Sequence, residues 1–157
     1  MNIEELKKQI EELQKKVAFL EGGYKRWRAD CGERYYCYGS TGMISDCGES
    51  NDEFDINRYA MGNYFQTGEE AMNTVRKIGI YTQLKDLALR LNKGEKIDWE
   101  DNNQAKYYIY YDRGTMKLDY NNGWLYQGVG QIYCLDINFL DIAEQEIGEE
   151  KLKKLFE

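Results

Sequence analysis

The 157-residue sequence contains no histidine and no proline. Without histidine the chain has no Ser-His-Asp or Cys-His catalytic arrangement, and it lacks a very common zinc ligand. Long hydrophobic runs are also missing, because no stretch approaches the roughly 18 apolar residues of a membrane-spanning helix. The charged, regularly patterned N-terminus does not resemble a secretory signal peptide. These absences predict a cytoplasmic protein with no membrane partner, and they argue against enzymatic activity.

Cysteine is scarce and irregularly spaced. The four cysteines are Cys31, Cys37, Cys47 and Cys134, and none forms a C-x-x-C pair. An all-cysteine zinc site usually draws its ligands from two such pairs. We therefore expect no metal and no other cofactor. In a reducing cytoplasm the thiols should stay free, although an even number of cysteines also permits disulfides.

The composition suits a folded, acidic protein. Hydrophobic residues make up 42 % of the chain and aromatic residues 14 %, which is enough for a packed core. The 28 acidic and 21 basic side chains give a formal net charge of −7. General nucleic-acid binding relies on neutralising phosphates with basic side chains, so this balance argues against it. The length predicts one domain, with or without an appendage.

The N-terminal segment, residues 1–21, carries an apolar heptad repeat. β-branched residues at heptad position a, with leucine at position d, favour a parallel two-stranded coiled coil. Position a is held by Ile3, Ile10 and Val17, and position d by Leu6, Leu13 and Leu20. The pattern predicts a homo-oligomer, with a dimer favoured. The alternative is an amphipathic helix that packs on its own domain.

The rest of the chain, residues 24–157, predicts an α+β body of antiparallel hairpins, one long helix and short C-terminal helices. The long helix begins at Thr67, where Glu70 three residues later completes a capping box. The predicted elements are a hairpin around Gly39–Gly42, a loop over 46–58, a helix from Thr67 to about Asn92, strands over 106–112 and 115–120, and helices over 139–147 and 149–156.

Residues 62–71 read GNYFQTGEEA. This run resembles a GN-x-F-x-T-x-EEA signature of small accessory proteins from phages and prophages of Gram-positive bacteria. The resemblance continues at Ile97-Asp98-Trp99, over residues 106–112 and over residues 147–156. It implies a phage-side origin and an accessory role inside a host bacterial cell. The family carries no catalytic motif that transfers to this chain.

Basic and aromatic residues alternate shortly after the heptad segment. Aromatic rings can stack on bases while guanidinium groups bind phosphate, so this pattern predicts a ligand or partner site. In the alternative the rings pack in a sheet and the charges are solvated. The candidate residues are Arg26, Trp27, Arg28, Arg34, Tyr35 and Tyr36, and further positive charge lies on the long helix at Arg76, Lys77, Lys85, Arg90 and Lys93.

Five acidic residues lie within ten positions of the predicted loop over 46–58. Together with the many tyrosines, they suggest an acidic surface that binds a protein partner. A metal-dependent nuclease would need such carboxylates to converge on one cation, but their spacing does not match a calcium-binding loop. The five residues are Asp46, Glu49, Asp52, Glu53 and Asp55.

These features favour a non-enzymatic inhibitor of a host defence system. Such a protein could bind and block a defence effector, for example a CRISPR-Cas complex, or it could sequester a nucleotide immune signal. One alternative is a structural or adaptor oligomerisation module of a phage, and a weaker one is a small metal-dependent nuclease. The sequence has neither of the glycine-rich phosphate-binding motifs G-x-x-x-x-G-K-[ST] and G-x-G-x-x-G.

Overall fold

The computed structural model describes residues 4–7, 9–10, 13, 17, 26–122, 128 and 130–156. It confirms a mixed helix and sheet protein with antiparallel hairpins and one long helix. The chain divides into two compact units, Met1–Ala71 and Met72–Glu157, a division that the sequence did not suggest. In the described part of the chain, no helix is both long and apolar enough to cross a membrane.

The first unit is built on an antiparallel hairpin of strands β1 (Arg34–Tyr38) and β2 (Ile44–Gly48). Gly42 sits in the turn with a φ of 77°, a conformation that glycine adopts without steric cost. Phe65 adds a single bridge to Tyr36 on the other edge of β1. The small core packs Ala29, Tyr35, Cys37 and Tyr64 against Cys47 and Tyr59.

The prediction of a loop over 46–58 is wrong. Strand β2 continues to Gly48, and helix α1 spans Glu53–Met61. The Asp52 side chain caps this helix by accepting a hydrogen bond from the Asp55 backbone N–H at 3.0 Å. Gly62, with a φ of 80°, ends the helix in the left-handed conformation. The acidic residues of this stretch therefore belong to regular structure.

Helix α2, Gly68–Leu91, is the predicted long helix. Its capping box is present, because the Glu70 N–H donates to the Thr67 hydroxyl and the Thr67 N–H donates to the Glu70 carboxylate, both at 3.2 Å. The two isoleucines of this helix differ in burial, since Ile78 is exposed and Ile80 is buried. Ile80 shares a helix face with Leu84 and Leu87, whereas Ile78 lies outside it.

The second unit contains a three-stranded antiparallel sheet in the order β4-β3-β5. Strand β3 is Tyr107–Asp112, β4 is Lys117–Asn122 and β5 is Tyr133–Cys134. Ile109 faces the core, and so Tyr108 and Tyr110 lie on the opposite face of the sheet. Tyr108 is in register with Tyr133 of β5, and their ring centroids are 5.5 Å apart.

Helices α3 (Phe139–Glu146) and α4 (Glu149–Lys153) complete the second unit. The core of this unit brings α2, the sheet and the two short helices together, with Phe139, Ala143 and Leu152 almost fully buried. Gly148, at a φ of 100°, lies between the two helices. Cys134 and Ala88 belong to the same core, which places the end of α2 beside β5.

Candidate binding cavity

Within the predicted site of the basic and aromatic segment, the structure buries one residue, Tyr35. Tyr35 is fully buried and stacks on Tyr64 with ring centroids 3.9 Å apart. Its hydroxyl donates to Asp55 at 2.6 Å and accepts from Arg58 at 2.8 Å. Burial and the hydrogen bond to Asp55 raise the pKa of Tyr35. The assignment of Tyr35 to a ligand site is therefore wrong, because its ring and hydroxyl are both engaged inside the unit.

Arg28 is held in a second internal network. Its guanidinium donates to Glu49 at 3.2 and 3.0 Å and to Asn51 at 2.9 Å. Glu49 is only 4 % exposed and also accepts the Tyr64 hydroxyl at 2.5 Å. The hydrogen bonds from Arg28 lower the pKa of Glu49, although burial opposes this change. Arg28 thus neutralises a buried carboxylate of its own chain.

The other four residues of this candidate set contact neighbouring side chains of the first unit. The Arg26 guanidinium lies 4.0 Å from the centroid of the Tyr59 ring, a cation–π contact. Trp27 is tilted against Tyr64, and Arg34 pairs with Asp46 across the hairpin. Tyr36 packs beside Gly68, where an added Cβ would meet its ring at 3.3 Å. Tyr59 and Tyr64 therefore bring four of the six candidates together, whereas Arg34 and Tyr36 make contacts elsewhere; the four are Arg26, Trp27, Arg28 and Tyr35.

The predicted acidic surface is wrong for two of its five residues, Glu49 and Asp55, which are buried. Their charges are stabilised by internal donors that the sequence pattern does not reveal. The other three, Asp46, Asp52 and Glu53, are exposed, although Asp52 also caps α1 and Asp46 pairs with Arg34. Among the described residues, no three acidic or cysteine side chains are placed to share a metal ion.

The Asp55 carboxylate, which accepts the Tyr35 hydroxyl, has a strongly lowered pKa. Burial alone raises the pKa of Asp55, but hydrogen bonds from the Tyr35 hydroxyl and from Ser50 outweigh burial and lower it to about 2. The Ser50 backbone N–H donates at 2.8 Å and the Ser50 hydroxyl at 3.0 Å. A carboxylate with three donors stays ionised at neutral pH. The network therefore ties α1 to the hairpin.

Four of the six heptad residues lie in described positions. Leu6, Ile10, Leu13 and Val17 are helical and remain between 37 and 59 % exposed in the single chain. Ile3 and Leu20 lie outside the described residues. Self-association through this segment stays a prediction.

A cavity of about 360 Å³ opens in the second unit, at a place where the sequence suggested none. Its volume lies near the lower end of the range of small-molecule sites, about 300–1,000 Å³. The walls come from the second half of α2, the loop that follows it and strand β5. The lining residues are Tyr81, Lys85, Ala88, Leu89, Asn92, Glu95, Lys96, Ile97, Trp99, Gln131, Ile132 and Tyr133.

The loop wall is held by hydrogen bonds to its own backbone. The Gln104 side chain donates to the Lys96 carbonyl at 3.1 Å and accepts the Asp98 N–H at 2.8 Å. Lys106 is fully buried, and its ammonium donates to the carbonyls of Asp101 and Gln104. That ammonium is 5.5 Å from the centroid of the Trp99 ring. These contacts fix the position of Trp99 in the cavity wall.

Asn92 presents an amide donor to the cavity. Its Oδ1 accepts the Leu135 backbone N–H at 2.8 Å and the Cys134 thiol at 3.3 Å. Because a backbone N–H can only donate, this contact fixes the orientation of the amide. The NH₂ group makes no hydrogen bond within the described part of the chain. Asn92 is 7 % exposed, and it lines the cavity.

Other donors of the cavity wall are also unengaged. Over the residues that the structure describes, the Lys85 and Lys96 ammonium groups have no ion pair. The Tyr81 hydroxyl and the Trp99 indole N–H have no hydrogen-bond partner within the same residues. Trp99 packs perpendicular to Tyr133 with centroids 4.9 Å apart. The wall thus combines aromatic rings, apolar side chains and free donors.

This arrangement suits a planar, acceptor-rich anion. Aromatic and aliphatic walls favour a flat ring, whereas ammonium, amide and indole groups favour oxygen or nitrogen acceptors. Glu95 contributes an acceptor at the rim. Lys85 was part of the positive charge noted on the long helix, but the loop and strand residues that share the cavity with it lie farther along the chain. The spacing of Tyr81, Lys85 and Asn92 along one helix face was the one sequence signal available.

The comparisons with known proteins do not indicate a function for this chain. No protein-family model, curated protein or solved structure matches this chain. The class that the structure itself defines is a two-unit α+β protein with a small cavity of mixed apolar and polar lining in the second unit.

Proposed function

We propose that this protein is a non-enzymatic, phage- or prophage-encoded inhibitor of a host defence system, and that it sequesters a nucleotide immune signal. The observation that carries the proposal is the cavity of about 360 Å³, in which aromatic rings and unengaged donors line the same walls. The phage-side origin rests on the resemblance of residues 62–71 to the accessory-protein signature.

The base of the nucleotide lies between the aromatic residues of the cavity in this proposal. Tyr81 is 38 % exposed, so its ring has free area for a stacking partner. Stacking of a base on an aromatic side chain contributes about 1–3 kcal/mol. The Asn92 amide donor then selects a base that presents an acceptor at its edge. Trp99, held by Lys106 and Tyr133, supplies a preformed wall.

The phosphate is bound by the cationic side chains of the cavity. Lys85 and Lys96 carry positive charge with no carboxylate partner in the described residues. A charge-assisted hydrogen bond from an ammonium to a phosphate oxygen is about twice as strong as a neutral one. An acidic chain of net charge −7 repels polyanions in general, so these local cations decide where an anionic ligand binds.

In this proposal the heptad segment, residues 1–21, joins the chains into an oligomer. A parallel coiled coil over residues 1–21 joins two chains and places two cavities in one particle. Sequestration depends on the number of sites per cell and on slow release, and it needs no chemical step. This fits a chain with no histidine and no catalytic motif.

A second candidate function is the blocking of a defence effector through a protein surface. Helix α1 exposes Phe54 (72 %), Ile56 (48 %) and Met61 (83 %). Phe54 and Met61 are seven residues apart and so lie on one helix face. Exposed apolar residues on one face are typical of a protein contact. Substitution of Phe54 and Met61 by serine would then abolish inhibition while leaving nucleotide binding unchanged.

The test of the proposal is isothermal titration calorimetry with cyclic dinucleotides, cyclic trinucleotides and ADP-ribose derivatives. We expect one of these classes to bind, and we expect Tyr81→Ala and Lys85→Ala each to weaken binding about tenfold or more. Both side chains are exposed and have no hydrogen-bond or ion-pair partner in the part of the chain that the structure describes, so neither change should unfold the protein. Lys117→Ala removes the same charge from exposed strand β4 and is the control. Binding that survives both cavity changes would refute this location of the site.

A further inference from the structure

A second concave site lies on helix α2, one turn before the cavity. It has a volume of about 250 Å³ and is lined by Asn73, Arg76, Lys77 and Lys154. Three of its four lining residues are cationic. None of the three has a carboxylate partner within the described residues, although the neighbouring Lys153 pairs with Glu149 and Glu150.

The positive charges of this cleft favour the binding of an anion. The Arg76 Nη1 donates a hydrogen bond to the Asn73 Oδ1 at 3.3 Å, and within the described residues its four other donors have no partner. Three like charges around one concavity repel each other, and a bound anion reverses that repulsion. Arginine and lysine together provide both bidentate and point-charge contacts to phosphate oxygens.

The cleft and the cavity follow each other along one helix face. Lys77 of the cleft, Tyr81 of the cavity and Lys85 of the cavity are spaced at i, i+4 and i+8. Four residues of α-helix rise about 6 Å. A nucleoside that stacks on Tyr81 can therefore place a covalently joined phosphate beside Lys77.

We propose that the cleft is a phosphate-binding subsite, and that the ligand of this protein is a nucleotide with at least two phosphate groups or a phosphodiester link. This inference rests on the proposed function, since the nucleoside occupies the cavity. The phosphates run from the nucleoside on Tyr81 toward Lys77, and the second phosphate binds in the cleft to Arg76, Lys77 and Lys154. A nucleoside alone fills only the aromatic part of the site.

The experiment compares adenosine and guanosine carrying no, one or two phosphates, titrated into the 157-residue chain by calorimetry. The cleft variant is Lys77→Gln with Lys154→Gln, and the control is Lys117→Gln with Lys151→Gln, which removes equal charge elsewhere. We expect the second phosphate to raise affinity about tenfold or more in the wild type and the control. The cleft variant should lose this gain and keep its affinity for the nucleoside. A variant with Lys77→Arg in place of Lys77→Gln, still carrying Lys154→Gln, should recover part of the affinity that the second phosphate adds.

Pyrophosphate alone probes the cleft without the cavity. We expect it to raise the Tm of the wild type and the control, and to leave the cleft variant unchanged. Nucleoside binding with no gain from a second phosphate, and no effect of pyrophosphate, would overturn the cleft assignment and leave the proposed function standing. Pyrophosphate binding without any nucleoside or nucleotide binding would overturn the proposed function and, with it, the joined ligand.

Discussion

Asp55→Asn is the change that probes the internal network of the first unit most sharply. The native carboxylate is 2 % exposed and accepts three hydrogen bonds, one from Tyr35 and two from Ser50. An asparagine of the same shape keeps one acceptor oxygen and turns an NH₂ group toward these donors. At least one donor then loses its partner inside the unit, which costs about 1–3 kcal/mol.

The pKa of Asp55 gives a second measure of the same effect. It falls from an ordinary value of 3.8 to about 2 in the folded protein. A shift of this size corresponds to about 2 kcal/mol of stabilisation of the charged form, before any screening by solvent. Both routes lead to a loss of about 2 kcal/mol at neutral pH, which lowers the Tm of a chain this long by about 4–8 °C.

The pH dependence of this loss has a definite sign. The folded-state pKa lies below the unfolded-state value, so the carboxylate stabilises the fold fully above about pH 5. The stabilisation declines as the pH falls through 3.8 and toward 2, because the wild type then binds the proton as well. The stability difference between wild type and Asp55→Asn should therefore shrink steadily between pH 5 and pH 2.

Urea unfolding followed by tryptophan fluorescence at pH 7, 4 and 3 measures this difference. Glu53→Gln, an exposed acid in the first turn of the same helix, is the control and should change stability far less than Asp55→Asn. A pH-independent difference would show that Asp55 acts through packing and not through its charge. Wild-type stability in Asp55→Asn at pH 7 would refute the network itself.

Three further predictions concern thiols, the long helix and the heptad segment. Cys31 is exposed and should react with iodoacetamide at pH 8 much faster than Cys37. Cys37 is buried, and burial raises the pKa of its thiol to about 11. Mass spectrometry of the labelled peptides measures the two rates, and equal rates would contradict this prediction. Thr67→Ala should cost about 1 kcal/mol in urea unfolding by removing the capping box, whereas an unchanged midpoint would mean that Glu70 alone caps the helix. The double change Leu6→Lys with Leu13→Lys should dissociate the oligomer, because each leucine contributes about 1.5–3 kcal/mol on burial. If light scattering of this variant still gave the mass of the wild-type oligomer, the coiled coil would be excluded.

Local signals predicted most of the regular elements. The Thr67 and Glu70 capping box located the start of α2, and its end at Leu91 lies within one residue of the prediction. The strong β-propensity of residues 106–112 located β3, because aromatic and β-branched residues favour strands. These signals depend on neighbours within a few residues, and a single sequence contains that information in full.

Helix α1 was not predicted, because the residues that stabilise it are distant in the sequence. Asp55 and Glu49 look like solvated acids in the sequence, yet Tyr35 and Tyr64 supply their hydrogen bonds from 20 and 15 residues away. The same limit applied to the basic and aromatic segment, where a buried carboxylate recruits Arg28. No local pattern distinguishes a charge that faces solvent from one with a partner in the core.

The cavity escaped prediction for a related reason. Tyr81 and Asn92 lie on α2, Trp99 on the following loop, and Tyr133 on β5. Only the pairing of β5 with β3 and the packing of Cys134 beside Ala88 bring these segments together. The unengaged state of the donors, which makes the cavity a candidate site, is visible only once every hydrogen bond has been assigned.

The most direct test of nucleotide sequestration is a thermal-shift screen of the purified protein. The ligands are cyclic dinucleotides, cyclic trinucleotides and ADP-ribose derivatives, with Lys85→Ala measured beside the wild type. A ligand at about 100 times its Kd adds about 2.7 kcal/mol of stability, which raises the Tm by about 5–10 °C. We expect one class to give this rise in the wild type and a smaller one in Lys85→Ala. No rise with any of these ligands would contradict sequestration and leave the exposed face of α1 as the candidate for function.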